Sequence, residues 1–141
     1  MANNKNGTWS LALLRLILGI TFFMHGYGKL FVAGGFKGTV GFLTAIGIPL
    51  AGPAALVVAL VEFLGGIALI LGIFTRYASV LLLIEMLVAL FKVHINNGFF
   101  ISMQAYGYEF ALLLIGALVV ILFSGPGKLA LGKKFKNRQL S

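Results

Sequence analysis

This chain has few side chains that could take part in catalysis or binding, and most of them lie in segments that are expected to be inside a membrane. Charged residues make up 10% of the 141 residues, and every acidic residue falls inside a long apolar stretch. A charged side chain at the centre of a bilayer costs about 2.5–3.5 kcal/mol on insertion scales. We therefore expect these groups to face one another inside a helix bundle. They are Arg15, His25, Lys29, Glu62, Glu85, Lys92, His94 and Glu109.

One pair of opposite charges is predicted in the half of the membrane nearer the cytoplasm. A rise of about 1.5 Å per helical residue places both Arg15 and Glu85 in that half. Buried ion pairs add little net stability, but they can fix which helix faces which. We predict that Arg15 and Glu85 form a structural ion pair.

The other half of the membrane receives a second, larger group of ionisable side chains. Glu62 or Glu109 is expected to pair there with Lys29, Lys92 or His25. Histidine titrates near neutral pH, so a histidine beside carboxylates can exchange protons. Ion pairs that only hold the helices in register are the alternative interpretation. The predicted ligand-binding residues are His25, Lys29, Glu62, His94 and Glu109.

Helical spacing and depth limit what the two histidines can do. Glu85 and Lys92 are seven residues apart and share a face of an α-helix, whereas His94 points away from them. His25 lies about 9 Å below the membrane surface by the helical rise, and His94 lies nearly at it. Haem ligation by both histidines needs matching depths, so haem is disfavoured.

These residues fit a quinone-binding site better than a metal site or the active site of a nucleophilic enzyme. His25, Glu62 and Glu109 carry metal-binding atoms, but no HExxH-type spacing is present, so no metal is predicted. The chain has no aspartate for a Ser–His–Asp triad, and no residue is identified as catalytic. Quinone carbonyls accept hydrogen bonds from histidine, lysine or arginine, and the ring packs against apolar walls. Aromatic side chains near the required depth are Phe22, Phe23, Phe63, Tyr106 and Tyr108.

The elements that must position these residues are membrane helices. Hydrophobic residues make up 60% of the chain, mean hydropathy is +1.07, and cysteine is absent. This composition excludes a soluble enzyme, a disordered tail and a soluble nucleic-acid-binding module. We predict an all-α fold, a polytopic four-transmembrane-helix bundle in one domain over residues 1–141. The predicted spans are about residues 11–31, 53–74, 77–95 and 106–123, with a short surface helix in the loop over residues 34–52.

Basic residues set the predicted orientation. With both termini in the cytoplasm (N-in, C-in), the inner side receives Lys5, Arg76 and the five basic residues of the tail over residues 125–141, whereas the outer side receives Lys37. The tail is expected to touch lipid headgroups, and no nucleic-acid partner is predicted. Because Arg15 and His25 interrupt the first apolar stretch, it is interpreted as a helix rather than as a cleaved signal peptide. The chain is predicted to be a multi-pass protein of the inner (cytoplasmic) membrane.

Several loose motifs in order resemble the DoxX family, including its CatD-like members. They are Arg15-x3-Gly19-x6-Gly26-x2-Lys29, then Glu62-x2-Gly65-Gly66-x5-Gly72-x2-Thr75-Arg76, then His94 through Asn97-Gly98-Phe99-Phe100 to Glu109, and finally Gly125-Pro126-Gly127-Lys128. The resemblance implies a four-helix inner-membrane protein, described in the family as an oxidoreductase or as a small subunit of a quinone-reducing complex. It also implies functional polar positions at Arg15, Lys29, Glu62, Arg76, His94 and Glu109. The serine and aspartate usual after the last motif are replaced here by Ala130 and Gly132.

The leading functional hypothesis is a quinone-linked membrane oxidoreductase subunit, involved in detoxification or in quinone and oxidant stress. Such a subunit would work with a soluble oxidoreductase partner, within the lipid bilayer, as a monomer or a homo-oligomer. One alternative is a transporter or permeability factor for a lipophilic or acidic compound, because membrane glutamates suit proton coupling. Another is a scaffold whose ion pairs only hold the helices together. The sequence does not identify the bound cofactor.

Overall fold

The computed structural model describes residues 5–101 and 107–132, and these residues contain five α-helices. They are α1 (Lys5–Phe31), α2 (Gly35–Ala45), α3 (Ala51–Leu71), α4 (Thr75–Ala89) and α5 (Glu109–Ser124). A π-helical turn (Leu90–His94) and a 3-10 turn (Ile95–Asn97) continue α4. Neither described range contains a β-strand, so this part of the chain is all-helical as predicted.

Three helical stretches are long and apolar enough to cross a membrane. They are Thr8–Phe31, Ala51–Leu71 and Thr75–Asn97, and they match the first three predicted spans to within a few residues. α5 is also apolar, but its 16 residues extend about 24 Å, less than a typical 30 Å hydrocarbon core. The predicted start of the fourth span at Tyr106 lies outside the described residues, as does the tail beyond residue 132. The fourth span and the orientation stay predictions.

Glycines bring α1 and α3 into direct backbone contact. A Cβ atom added at Gly19 would lie 2.8 Å from the backbone nitrogen of Ile70. One added at Gly26 would meet the backbone of Phe63, and one at Gly66 the backbone of Phe23. Small residues allow this approach in lipid, where dispersion contacts replace the hydrophobic effect as the force between helices. The two helices therefore run side by side in a fixed register.

Buried side chains from α1, α3, α4 and α5 form one apolar core. Leu69, Leu82, Leu118 and Ile121 are fully buried there, beside Phe22. α2 lies outside this core and packs against α1 and α3. It occupies the loop in which the sequence predicts a short helix, and it begins directly after Gly34 (φ +80°), whose left-handed conformation turns the chain after α1.

A three-residue turn joins α3 to α4 as an antiparallel hairpin. Gly72 (φ +71°) and Phe74 (φ +47°) both adopt the left-handed conformation that reverses the chain. Nearby, the amide of Gly132 donates to the carbonyl of Gly72 at 3.1 Å, and the amide of Lys128 donates to that of Thr8 at 2.9 Å. We call this end of the bundle, which also holds Trp9 and Arg76, the basic end.

Candidate functional site

An ion pair between α1 and α3 is the centre of the candidate site. The ammonium group of Lys29 donates to Glu62 Oε2, and the side chains are 23% and 9% exposed. Lys29 reaches the middle of α3 because the backbone contact at Gly26 holds α1 against Phe63, one residue after Glu62. This is one of the pairings that the sequence predicts for the second group of ionisable residues.

Glu85, on α4, lies beside this ion pair. Its carboxyl group lies next to that of Glu62 and interacts with Lys29. Glu62 lies nine residues before the end of α3 and Glu85 ten residues after the start of α4. In a tight antiparallel hairpin, residues at equal distances from the turn lie at the same level, so the two carboxyl groups meet.

The predicted ion pair between Arg15 and Glu85 is wrong. Arg15 is fully buried, and its guanidinium group donates to four backbone carbonyl oxygens. The first two are those of Leu69 at 2.6 Å and Ile70 at 3.0 Å. The others are those of Lys128 at 3.3 Å and Leu129 at 3.4 Å. The last carbonyls of a helix lack intrahelical partners and carry partial negative charge, which a guanidinium can satisfy. Arg15 therefore ties α3 to the segment after α5, at the basic end.

A cavity of about 550 Å³ lies beside the Lys29–Glu62–Glu85 cluster. α1, α2, α3, α4 and α5 all contribute to its walls, which are mainly aliphatic and aromatic. This combination is typical of ligand pockets, in which a few placed polar groups orient a mostly apolar molecule. The described polar side chains on its lining are His25, Lys29, Thr39, Glu62, Glu85 and His94.

The π-helical turn after α4 decides which basic residue reaches the cavity. A π-turn holds about one residue more than an α-turn, so residues beyond it are shifted around the helix axis. Val93 and His94 consequently line the cavity on the same side as Glu85, whereas Lys92 is exposed. The prediction that Lys92 shares the face of Glu85 and that His94 points away is therefore wrong.

Glu109 lies apart from the cluster. Its carboxylate accepts a hydrogen bond from the amide of Ile101 at 2.8 Å, and its own amide donates to the carbonyl of Phe99 at 3.0 Å. It is not among the described residues that line the cavity. Glu109 opens α5, where its negative charge also suits the helix N-terminus. Its place in the predicted ligand-binding group is not supported, because the loop after residue 97 folds back onto it.

The remaining predicted residues divide between the cavity and the protein surface. His25 lines the cavity, as does the buried Phe22. Phe23 and Phe63 contact each other instead, with ring centroids 5.2 Å apart, and Tyr108 contacts Phe99 at 5.3 Å. Tyr106 lies outside the described residues. Within residues 5–101 and 107–132, no group of three or more potential metal-ligating side chains comes together.

Two parts of the site were not predicted from the sequence. The first is the wall formed by α2, which supplies Thr39, Phe42 and Leu43. The second is the position of Glu85 beside Glu62. The short connection over residues 74–77 could have predicted the position of Glu85, because it places residues 62 and 85 at matching distances from the turn. No comparable signal in the sequence shows that α2 folds over a cavity.

Comparison with known proteins identifies relatives along nearly the whole chain. The DoxX family model matches residues 10–95. An uncharacterized protein of Haemophilus influenzae is 37% identical over 93% of this chain and 94% of its own length. The protein named "Putative oxidoreductase CatD" of Bacillus subtilis is 33% identical, over 91% of this chain and 88% of its own. The uncharacterized membrane protein Rv3486 of Mycobacterium tuberculosis is 31% identical, over 96% and 86%. No solved structure matches the chain significantly.

Proposed function

The chain belongs to the DoxX family of membrane proteins, and we propose that it is the membrane subunit of a quinone-linked oxidoreductase. In this proposal the cavity beside Lys29, Glu62 and Glu85 binds the quinone head group. A soluble oxidoreductase partner supplies the electrons. The protein spans the inner membrane several times, with both termini in the cytoplasm, and acts in detoxification or in quinone and oxidant stress.

The observation that carries this proposal is the pairing of an apolar cavity with a compact polar cluster. The cavity is large enough for a substituted aromatic ring, since ligand pockets commonly measure about 300–1,000 Å³. Phe22, Phe42 and Phe110 supply aromatic wall. The cluster supplies an ammonium donor and two carboxyl groups, and reduction of a quinone to a hydroquinone requires two protons as well as two electrons. Carboxyl groups at the reacting end can pass such protons.

The cavity opens sideways, on a face where the proposed bilayer surrounds the bundle. Leu81, Ile84 and Val88 of α4 line it, yet they are 51%, 55% and 47% exposed. α2 forms another part of the wall, but it packs against α1 and α3 rather than against α4. A lipid-soluble molecule could thus reach the cluster from the hydrocarbon without crossing water. This access favours a membrane quinone over a water-soluble substrate.

A binding experiment tests the proposal directly. The protein is purified into lipid nanodiscs, and the affinity for a decyl-substituted benzoquinone is measured for the wild type, Glu62→Gln and Glu109→Gln. Glu109→Gln is the matched control, because it makes the same change away from the cavity. We expect Glu62→Gln to weaken binding about tenfold, because Lys29, the donor to a quinone oxygen in this proposal, loses the charged partner that positions it. Unchanged affinity in Glu62→Gln would count against the quinone site.

Two further measurements separate the alternative functions. Mass analysis of lipids extracted with the purified protein shows whether a quinone travels with it. Flux into proteoliposomes under a pH gradient tests the transporter hypothesis, for which movement of the compound is required. A scaffold would show neither quinone nor flux, and Glu-to-Gln changes in it would alter stability alone.

A further inference from the structure

One carboxyl oxygen in the cavity has no partner. Glu85 Oε2 is buried and receives no hydrogen bond from any residue that the structure describes. Glu62 differs in this respect, because its Oε2 accepts from Lys29. An acceptor buried without a partner is costly in a folded protein, and a ligand that donates to it removes that cost.

The charges around Glu85 disfavour an acidic ligand. Two carboxyl groups lie in this cluster beside one lysine, Lys29, which pairs with Glu62. The other described polar groups on the cavity wall are His25, Thr39 and His94. Arg15 is the remaining cation of α1 at membrane depth. Its guanidinium group donates hydrogen bonds to backbone carbonyl oxygens at the basic end. A carboxylate on the ligand would therefore meet an excess of acceptors in a medium of low dielectric constant, where like charges repel strongly.

We propose that Glu85 accepts a hydrogen bond from the ligand, so that the cavity selects a neutral lipophilic molecule with a hydroxyl donor on its ring. This inference rests on the proposed function in taking the hydroquinone as the physiological example of such a molecule. Glu85 is then the residue that distinguishes the hydroquinone from the quinone, whose two oxygens only accept. The same geometry rejects acids of equal size and apolarity.

The test compares ligands that differ only in the donor. In nanodiscs, the wild type is titrated with a long-chain alkylphenol, its methyl ether and the alkylbenzoic acid of equal chain length. A decyl-substituted benzoquinone and its hydroquinone form a second set. We expect the alkylphenol to bind about tenfold more tightly than its methyl ether, and the acid to bind least. This comparison needs no variant, so it does not depend on a mutant protein folding.

Variants then assign the preference to one residue. In Glu85→Met, which removes the acceptor and keeps a side chain of similar length, the affinity for the alkylphenol and for the hydroquinone should fall about tenfold, while the affinity for the benzoquinone changes less than about threefold. Glu109→Met, which makes the same change away from the cavity, is the matched control and should bind all five ligands like the wild type.

The outcomes keep this inference separate from the proposed function. Equal affinity of the wild type for the alkylphenol and its methyl ether would overturn the inference, as would a phenol preference that persists in Glu85→Met. Binding of the alkylphenol through Glu85, without binding of either the benzoquinone or the hydroquinone, would support the inference and overturn the quinone-linked function. No binding of any of the five ligands would overturn both.

Discussion

Glu62 and Glu85 place their carboxyl groups side by side because they lie at nearly equal distances from the turn between α3 and α4. Lys29 of α1 lies beside both acids and pairs with Glu62. The result is a polar cluster in the wall of an otherwise apolar cavity. The proposed quinone site and its selectivity for a hydroxyl donor both depend on this arrangement.

Removing the cation should be more damaging than removing the whole ion pair. Lys29→Met leaves two carboxyl groups without compensation, and we expect the free energy of unfolding to fall by about 3 kcal/mol, near the low end for a broken buried pair. Adding Glu62→Gln should restore part of the loss, since one acid then remains. Unfolding of the two variants in mixed micelles by SDS titration measures this coupling. Strictly additive effects would show that the two residues do not interact.

Arg15 should matter for stability rather than for ligand selection. Arg15→Met removes the donors to four carbonyl oxygens of α3 and the segment after α5. We expect a loss of about 3 kcal/mol or more, since hydrogen bonds from charged groups contribute about 1.5–3 kcal/mol each and are not additive. Thermal unfolding in detergent gives the stability. The exposed Arg76→Met at the same end is the control, and a similar loss there would contradict the assignment.

The backbone contact between α1 and α3 should not tolerate one added methyl group. Gly26→Ala places a Cβ against the backbone of Phe63, which cannot move aside as a flexible side chain can. We expect a loss of about 1–3 kcal/mol, the usual cost of overpacking. Gly116→Ala is the matched control, because a Cβ at Gly116 meets nothing within 4 Å. Thermal unfolding that fails to separate the two variants would refute the close contact.

Access to the cavity should be blocked by a large side chain at its open side. Ile84 lines the cavity and is 55% exposed, so Ile84→Trp should slow the association of the benzoquinone with the nanodisc-embedded protein. Leu113→Trp introduces the same bulk at an exposed site of α5 away from the cavity. Stopped-flow quenching of protein fluorescence measures the rates, with each variant's own signal change as reference. Equal slowing in both variants would argue against sideways access.

The predicted membrane topology can be mapped with single cysteines, because the natural chain contains none. Gly38→Cys places a thiol in α2 at a position with open space around it, and Arg76→Cys places one at the exposed start of α4. With both termini in the cytoplasm, a membrane-impermeant maleimide should label Gly38→Cys in intact cells. It should label Arg76→Cys only after the membrane is opened. The reverse pattern would invert the orientation.

The sequence predicted the helices well because hydropathy along a helix is a local property. The first three spans match within a few residues, and the short helix between the first two occurs where the loop had room for it. It also predicted that the few charged groups would gather, since an isolated charge in hydrocarbon is costly. The pairing of Lys29 with Glu62 was one of the pairings this reasoning allowed.

The partners of the other groups depended on features that spacing alone did not show. Arg15 found backbone carbonyls instead of Glu85, because the ends of helices offer acceptors that a residue-by-residue count of charges omits. Glu109 lies away from the cluster, where its carboxylate accepts a hydrogen bond from the amide of Ile101. His94, and not Lys92, lines the cavity because the π-helical turn rotates the residues after it around the helix axis.

The sequence by itself therefore determined that this is a helical membrane protein of the DoxX family with acids and bases inside its apolar helices. Those conclusions follow from composition, periodicity and motif order, which are all properties of the linear sequence. The tertiary structure alone decided which acid meets which base and that a cavity lies beside them. Such contacts depend on the register between helices, and that register is set by backbone approach at Gly19, Gly26 and Gly66 and by the turn at Gly72.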